Sequence, residues 1–348
     1  MASRKRTSRQ ARVRKIGWTA LASLGVFIIF STITMWWYAA RTAKDPEVVG
    51  VTFSQLQSER YGLDWKENYT ALLDDLKFRH FRLIAYWDRI EPQKGQFDYS
   101  EIDWMMNEAD KRGAKVTLTI GQKVPRWPEC YYPSWIDRND TAAVRKEVPI
   151  MLRSVTERYK DHPALEAWQL ENEFLLRSYG RCPSKNLTRE MLQTELSTVR
   201  SVDTTNPIVL TQSDQFGMPI WGPFADWFGF SMYRHVYVEH KGYWSYPQPG
   251  LHAWWKAAMI NLFTGNQIKV HELQAEAWGR TGNEFLFFSE TERTMNPELF
   301  NDNIRYVRDT KIKRYDLWGA EWWYFLKTRE KQPALWDRVR EFMKDGRV

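Results

Sequence analysis

The residues best suited to chemistry lie in two well-separated segments, Ala167-Trp-Gln-Leu-Glu-Asn-Glu173 and Ile268-Lys-Val-His-Glu-Leu-Gln-Ala-Glu-Ala-Trp278. Each reads as an apolar strand ending in carboxylates. A carboxylate at the carboxyl end of a strand, followed by an aromatic-rich loop, is where a β/α barrel does chemistry. Two such groups facing one another, one neutral and one ionised, are what cleavage of a glycosidic bond requires. Glu173 and Glu272 are the leading candidates. Glu171 would share a face with Glu173 on a regular strand and is a rival, though it lies deeper. Glu276 stands further into the loop, where contact with substrate suits it better than attack. Strand-end carboxylates often form only salt bridges, so the surrounding chain has to supply the context. His80, His235 and His271 show no metal-ligand spacing with a partner carboxylate, so structural roles are expected and no metal or cofactor is invoked.

The elements that must position these groups alternate regularly. Strand patterns cover Val48–Phe53, Phe81–Trp87, Lys115–Ile120, Leu165–Leu170, Pro207–Thr211, Trp227–Tyr233, Gln267–His271 and Tyr315–Gly319. Helical spacing fills Asp64–Lys77, Tyr99–Arg112, Ala142–Tyr159, Thr188–Val202, Leu251–Phe263, Pro297–Thr310 and Pro333–Lys344. That alternation predicts an α/β fold, a (β/α)₈ TIM barrel over residues 48–348. A doubly wound open sheet is the competing arrangement, but no glycine-rich phosphate loop follows a strand.

The chain has 348 residues and 19 Trp, with aromatics at 15%. That surplus suits a groove for flat, half-apolar ligands such as sugar rings. Net charge is +7, yet it is local. Arg4, Lys5, Arg6, Arg9, Arg12, Arg14 and Lys15 carry it; without these seven, the 50 Lys+Arg fall to 43, equal to the 43 Asp+Glu. The remainder is neutral and gives no argument for nucleic acid. Ile16 to Ala40 has no charged residue and ends in Trp36-Trp37-Tyr38, as a membrane span with interfacial aromatics does. The expected organisation is a basic cytoplasmic tail (1–15), a transmembrane anchor (16–40), a linker (41–47) and an extracytoplasmic catalytic domain (48–348). A cleaved signal peptide is the alternative, disfavoured because the apolar run is long. Outside the cytoplasm Cys130 and Cys182, the only two cysteines, could pair between consecutive barrel loops. Asn68, Asn139 and Asn186 match the glycosylation pattern, which carries little weight alone.

Trp87-Asp-Arg-Ile-Glu-Pro-Gln-Lys-Gly-Gln-Phe-Asp98, with Ile102-Asp103 and Gly113 after it, resembles the loop following strand two in clan A glycoside hydrolases, of which families 5, 10, 39 and 42 carry variants. Trp168-Gln-Leu-Glu-Asn-Glu173 matches that clan's Asn-Glu signature. Arg82, Tyr233 and Trp322-Trp323 fall where the clan keeps functional residues. Val270-His-Glu272 departs from the Thr-Glu often seen on strand seven. The resemblance runs in order over roughly residues 48 to 340. It implies a retaining mechanism, with Glu173 as acid/base and Glu272 as nucleophile. Arg82 would favour the ionised form of Glu272, Tyr233 would hydrogen-bond it, and Asn172 would hold a sugar hydroxyl. Trp87, Trp127, Trp278, Trp322, Trp323 and Glu276 would line the substrate groove, Trp127 and Trp278 from loops after strands three and seven. The expected partner is an oligo- or polysaccharide. A transglycosylase, a non-catalytic carbohydrate-binding barrel and a structural envelope protein remain as other readings; the aromatic loops argue against the last.

Overall fold

A computed structural model describes residues 2–176, 180–212, 225–279 and 292–348; side chains of the tail up to Arg14 lie outside the described set. A long helix, α1 (Ala2–Thr42), precedes β1 (Val48–Thr52). There follow α2 (Gln55–Arg60), α3 (Trp65–Asp74), β2 (His80–Ile84), α4 (Trp87–Ile90), α5 (Ser100–Lys111), β3 (Lys115–Ile120), α6 (Thr141–Tyr159), β4 (Leu165–Leu170), α7 (Arg189–Val202), β5 (Ile208–Gln212) and β6 (Trp227–Met232). The chain then forms a hairpin, β7 (His235–Val238) and β8 (Gly242–Ser245), and α8 (Gly250–Thr264). It ends with β9 (Gln267–Gln274), α9 (Pro297–Asp309), β10 (Arg314–Trp318), α10 (Ala320–Thr328) and α11 (Ala334–Asp345).

β1 to β6, β9 and β10 are parallel and close into an eight-stranded barrel. Val48 opposite Arg314 and Thr52 opposite Trp318 seal it. The fold is the expected (β/α)₈ barrel. Helix starts follow local chemistry. Asp64 accepts from the Lys66 and Glu67 amides, Asp140 from Ala142 and Ala143, and Asn296 from Leu299 just before Pro297. Gly265, at φ 74°, ends α8 in the left-handed region and turns the chain into β9.

The strands have the expected order, with ends shifted by a residue or two. Two differences matter. β9 runs on to Gln274, so Glu272 lies within a strand rather than past its end. Trp87 leaves strand two and starts α4. The β7–β8 hairpin and the short α2, α4 and α10 were not expected; none is long enough for a clear hydrophobic period.

Helix α1 is long and apolar enough to cross a membrane. It is also part of the fold. Ser31, Thr34, Met35 and Tyr38 are buried, while Ile16, Trp18, Leu21 and Leu24 are exposed. Trp254 Nε1 donates to the Met35 carbonyl at 3.0 Å and Trp255 Nε1 to Ser31 Oγ at 3.1 Å. Asn68 and Asn186 are buried, which removes two of the three glycosylation matches.

Candidate active site

Glu173 and Glu272 project from the carboxyl ends of β4 and β9, about 5% exposed each. The chain leaves β4 irregularly. Glu171 and Glu173 have φ of 60° and 46°, values uncommon outside glycine and typical of functional sites. This corrects the expectation that Glu171 shares a face with Glu173: the strand has ended, so its two-residue period no longer applies. The Glu171 carboxylate instead turns into the wall and accepts the Gln122 and Lys123 amides at 2.8 and 2.6 Å. Gly121 makes this possible, since a Cβ there would lie 2.4 Å from that carboxyl. Burial pushes the Glu171 carboxyl up to about 7, against the pull of the two amides. Burial and then the neighbouring Glu171 push Glu195 well above the usual range.

Arg82, fully buried on β2, organises one side of the site. Its Nη1 donates to Glu272 Oε1 at 2.9 Å, its Nη2 to Asn172 Oδ1 at 2.7 Å and its Nε to Gln169 Oε1 at 2.7 Å. The Tyr233 hydroxyl donates to the other Glu272 oxygen at 2.8 Å. Glu173 is held differently. Ser231 Oγ donates to its Oε1 at 2.7 Å, and its amide donates to Thr211 Oγ1 at 3.0 Å. The β6–β9 register slips between Phe230 and Ser231, which brings Ser231 level with Glu272.

His271 stands between the carboxylates. Its Nε2 lies 3.7 Å from an oxygen of each. One oxygen of Glu173, one of Glu272 and a His271 nitrogen all fall within 4.8 Å of one another. Sequence spacing pairs His271 with no partner carboxylate; the approach comes across the barrel, where spacing does not show it. Burial pushes His271 down to about 3, so the ring is neutral. It fits because Gly229 opposite has no side chain: a Cβ there would lie 2.9 Å from Nδ1.

Two buried ion clusters back the pair. Lys123 Nζ lies 2.7 Å from Glu129 Oε2 and donates to the Asn172 and Glu173 carbonyls at 2.9 and 3.2 Å. Burial pushes Glu129 up to about 7; Lys123 opposes this, while Glu173 and Glu272 add to it. In the second cluster Arg126 donates to Glu276 Oε1 at 2.7 Å, pairs with Glu321 and lies 4.0 Å from the centre of the Trp318 ring. Trp318 Nε1 also donates to Glu276, at 2.8 Å. Glu276, expected to touch substrate, is therefore held by protein partners.

The expected aromatic platforms divide. Trp127 is 48% exposed at the rim, and Trp278 is half-buried with its ring 5.1 Å from that of Tyr233. Trp87, Trp322 and Trp323 are corrected to core residues, at most 2% exposed. Trp87 donates to Glu91 at 2.7 Å and Trp323 to the Ala275 carbonyl at 2.6 Å, so their polar edges are satisfied inside the protein. Cys130 and Cys182 are disulfide-bonded, with Cα atoms 5.4 Å apart, and tie the loops after β3 and β4. Sequence reasoning missed Lys123, Arg126, Glu129, Ser231, Trp318 and Glu321. Their one shared signal is position, at or just beyond a strand's carboxyl end.

The family model for cellulase (glycosyl hydrolase family 5) matches residues 45–313. Among curated relatives, the beta-galactosidase Pbg of Clostridium perfringens is 30% identical over 129 residues, 31% of this chain but only 18% of that protein. The chain thus spans well under a third of the relative it matches. A GH5_18 protein from Streptomyces cattleya, solved in complex with GlcNAc, superposes with a TM-score of 0.55 at 11% identity, covering 78% of this chain and 70% of that one. Endo-glycoceramidase II from Rhodococcus sp., solved as a lactosyl-enzyme intermediate, gives 0.50 at 13% identity, covering 78% and 73%. At such identities these structures speak for the fold alone. The family match runs from the linker before β1 to the residue preceding β10, and by that extent this chain belongs to glycosyl hydrolase family 5.

Proposed function

We propose that the protein is a membrane-anchored retaining glycoside hydrolase, with Glu272 as nucleophile and Glu173 as general acid and base. The observation that carries this reading is the opposition of the two carboxyls, with an oxygen of each within 4.8 Å. Retaining enzymes hold their carboxyls about 5–5.5 Å apart, while inverting ones leave roughly 6.5–9.5 Å for a water. The unequal surroundings assign the roles. Glu272 sits against a guanidinium and a phenol, a setting for the ionised group that attacks. Glu173 takes a neutral hydroxyl on its carboxyl, a setting in which it can carry a proton.

In the first step a Glu272 oxygen bonds to the anomeric carbon as the bond to the leaving oxygen breaks, and Glu173 gives its proton to that oxygen. In the second step Glu173 takes a proton from water, whose oxygen displaces Glu272 and restores the original configuration. Asn172, fixed through Oδ1 by Arg82, gives one Nδ2 hydrogen to Glu129 Oε1 at 3.4 Å and keeps the other to offer a sugar hydroxyl. Trp127 and Trp278 are the platforms for flanking sugars. The basic tail and uncharged run support an N-terminus in the cytoplasm and a catalytic domain outside, and the disulfide suits that compartment.

The test uses the full chain and a panel of aryl β-glycosides. Glu272→Ala should lose turnover, with azide restoring it as the inverted glycosyl azide. Glu173→Ala should accumulate glycosyl-enzyme from substrates with good leaving groups, with azide rescuing by retention. An inverted first product from the unaltered protein would overturn the assignment.

A further inference from the structure

The end of α1 helps to enclose a cavity at the base of the barrel. Val48, Trp227, Gln267 and Arg314, the first residues of β1, β6, β9 and β10, line it together with Tyr38, Arg41 and Thr42 of α1. It holds about 450 Å³, within the roughly 300–1,000 Å³ of small-ligand sites.

Its charge is one-sided. Arg41, Lys269, Lys313 and Arg314 stand in the lining against a single carboxylate, Asp45. Two of these cations are matched from behind. Lys269 Nζ lies 2.6 Å from Asp316 Oδ2, and Arg314 pairs with Glu166 while its guanidinium lies 4.8 Å from the centre of the Trp227 ring. Arg41 and Lys313 are not matched: among the described residues no carboxylate, Asp45 included, forms an ion pair with either. A guanidinium fork and an ammonium point charge are both suited to phosphate. Asn261 adds an acceptor to the same lining. Its Nδ2 donates to the Asn266 carbonyl at 2.8 Å, and its Oδ1 is buried with no partner.

Depth and apolar surface narrow the ligand. Residues 16–40 are uncharged, and Trp36 and Trp37 near their end are 67% and 40% exposed, as interfacial aromatics are. Arg41 follows Trp37 by about 6 Å along the helix. In a membrane-anchored chain that is just outside the hydrocarbon, at the level of the headgroup phosphates. Leu262 and Phe263, next to Asn261 on α8, are 39% and 72% exposed, an apolar lip beside a basic cavity. A free phosphate makes no use of such a lip, whereas a phospholipid brings both a charge and a chain.

Resting on the membrane-anchored reading above, we propose that this basal cavity is a binding site for the headgroup of an anionic phospholipid. Arg41 and Lys313 hold the phosphate, Asn261 Oδ1 accepts a headgroup hydroxyl, and an acyl chain lies along Leu262 and Phe263.

The test is native mass spectrometry of the full chain from detergent micelles holding equal phosphatidylglycerol and phosphatidylcholine. One phosphatidylglycerol per chain should be retained, at least about tenfold over phosphatidylcholine. Arg41→Gln with Lys313→Gln should weaken that binding by at least about tenfold, two cations' worth, with an unchanged circular dichroism spectrum. Lys44→Gln with Lys311→Gln, which removes two nearby cations outside the lining, should keep it. Equal retention of the two lipids, or equal loss in both variants, overturns the site. Inorganic phosphate or glycerophosphoglycerol in excess should leave the lipid bound; displacement by either marks a site for a free phosphate and overturns the lipid. Flotation of the unaltered chain with phosphatidylcholine vesicles after an alkaline wash tests the anchor separately. A chain that stays behind sinks the membrane reading, whereas one that floats yet shows no lipid preference sinks this site alone.

Discussion

Arg82 reaches Glu272 from across the barrel, Nη1 to Oε1 at 2.9 Å, with the guanidinium wholly buried and the carboxyl nearly so. The same fork fixes Asn172 and Gln169. Lysine keeps the charge but cannot serve three acceptors in one plane. Arg82→Lys is expected to lower kcat by about 10²–10³ while KM moves little, since the lost contacts matter most as charge develops. Steady-state kinetics beside an unchanged circular dichroism spectrum checks this; a KM effect alone would contradict it.

The Glu171–Glu195 pair gives a pH dependence of known sign. Both carboxyls bind their proton more tightly in the folded protein than at the ordinary value of 4.5. Their contribution to stability is therefore full at low pH and is lost as pH rises from about 4.5 through about 7. Glu195→Gln removes one ionisation and keeps the hydrogen bonding. Its denaturant midpoint should fall less than that of the unaltered protein between pH 5 and 8, by an amount on the order of 1–3 kcal/mol. Parallel curves for the two proteins would refute the assignment.

The Cys130–Cys182 bond closes a sequence separation of 52 residues. Chain-entropy reasoning gives about 4 kcal/mol for a loop of that size, less any native strain. Replacing both cysteines by serine should lower stability by roughly 2–4 kcal/mol. Activity should fall further than stability at the working temperature, because Glu129 sits next to Cys130 and faces Asn172. Equilibrium unfolding with parallel activity assays separates the two effects.

Removing residues 1–44 should not simply free a soluble enzyme. It uncovers the α8 face carrying Trp254 and Trp255 and leaves both indole N–H groups without their α1 acceptors. The truncated chain is expected to aggregate, or to need detergent to remain monodisperse in light scattering. Trp254→Gln with Trp255→Gln should restore solubility without restoring vesicle binding.

What could be read from the sequence follows the range over which each signal acts. Strands such as Lys115–Ile120 and Leu165–Leu170 carry their pattern within a few residues and appear where expected. The expected positions of Arg82 and Tyr233 beside Glu272 rested on strand order, which the barrel preserves. The face of Glu171 could not be read, because a left-handed turn after Leu170 breaks the strand period. Trp322 and Trp323 follow a strand end, yet α10 turns them inward. His271 lies between two carboxylates only because the barrel closes and Gly229 leaves it room. Burial and cross-barrel approach are properties of the closed fold, and a local window does not contain them.

The seat of α1 on α8 also sets an order of events during synthesis. Met35 emerges from the ribosome 219 residues before Trp254, the residue that binds its carbonyl. At about 5–20 residues per second, that interval is roughly 10–45 s. For all of it the helix lacks the apolar face of α8, and the half-made barrel lacks the wall that α8 will supply. In the membrane-anchored reading proposed above, insertion would come first and barrel closure second, with α8 docking against a partner already held in the membrane.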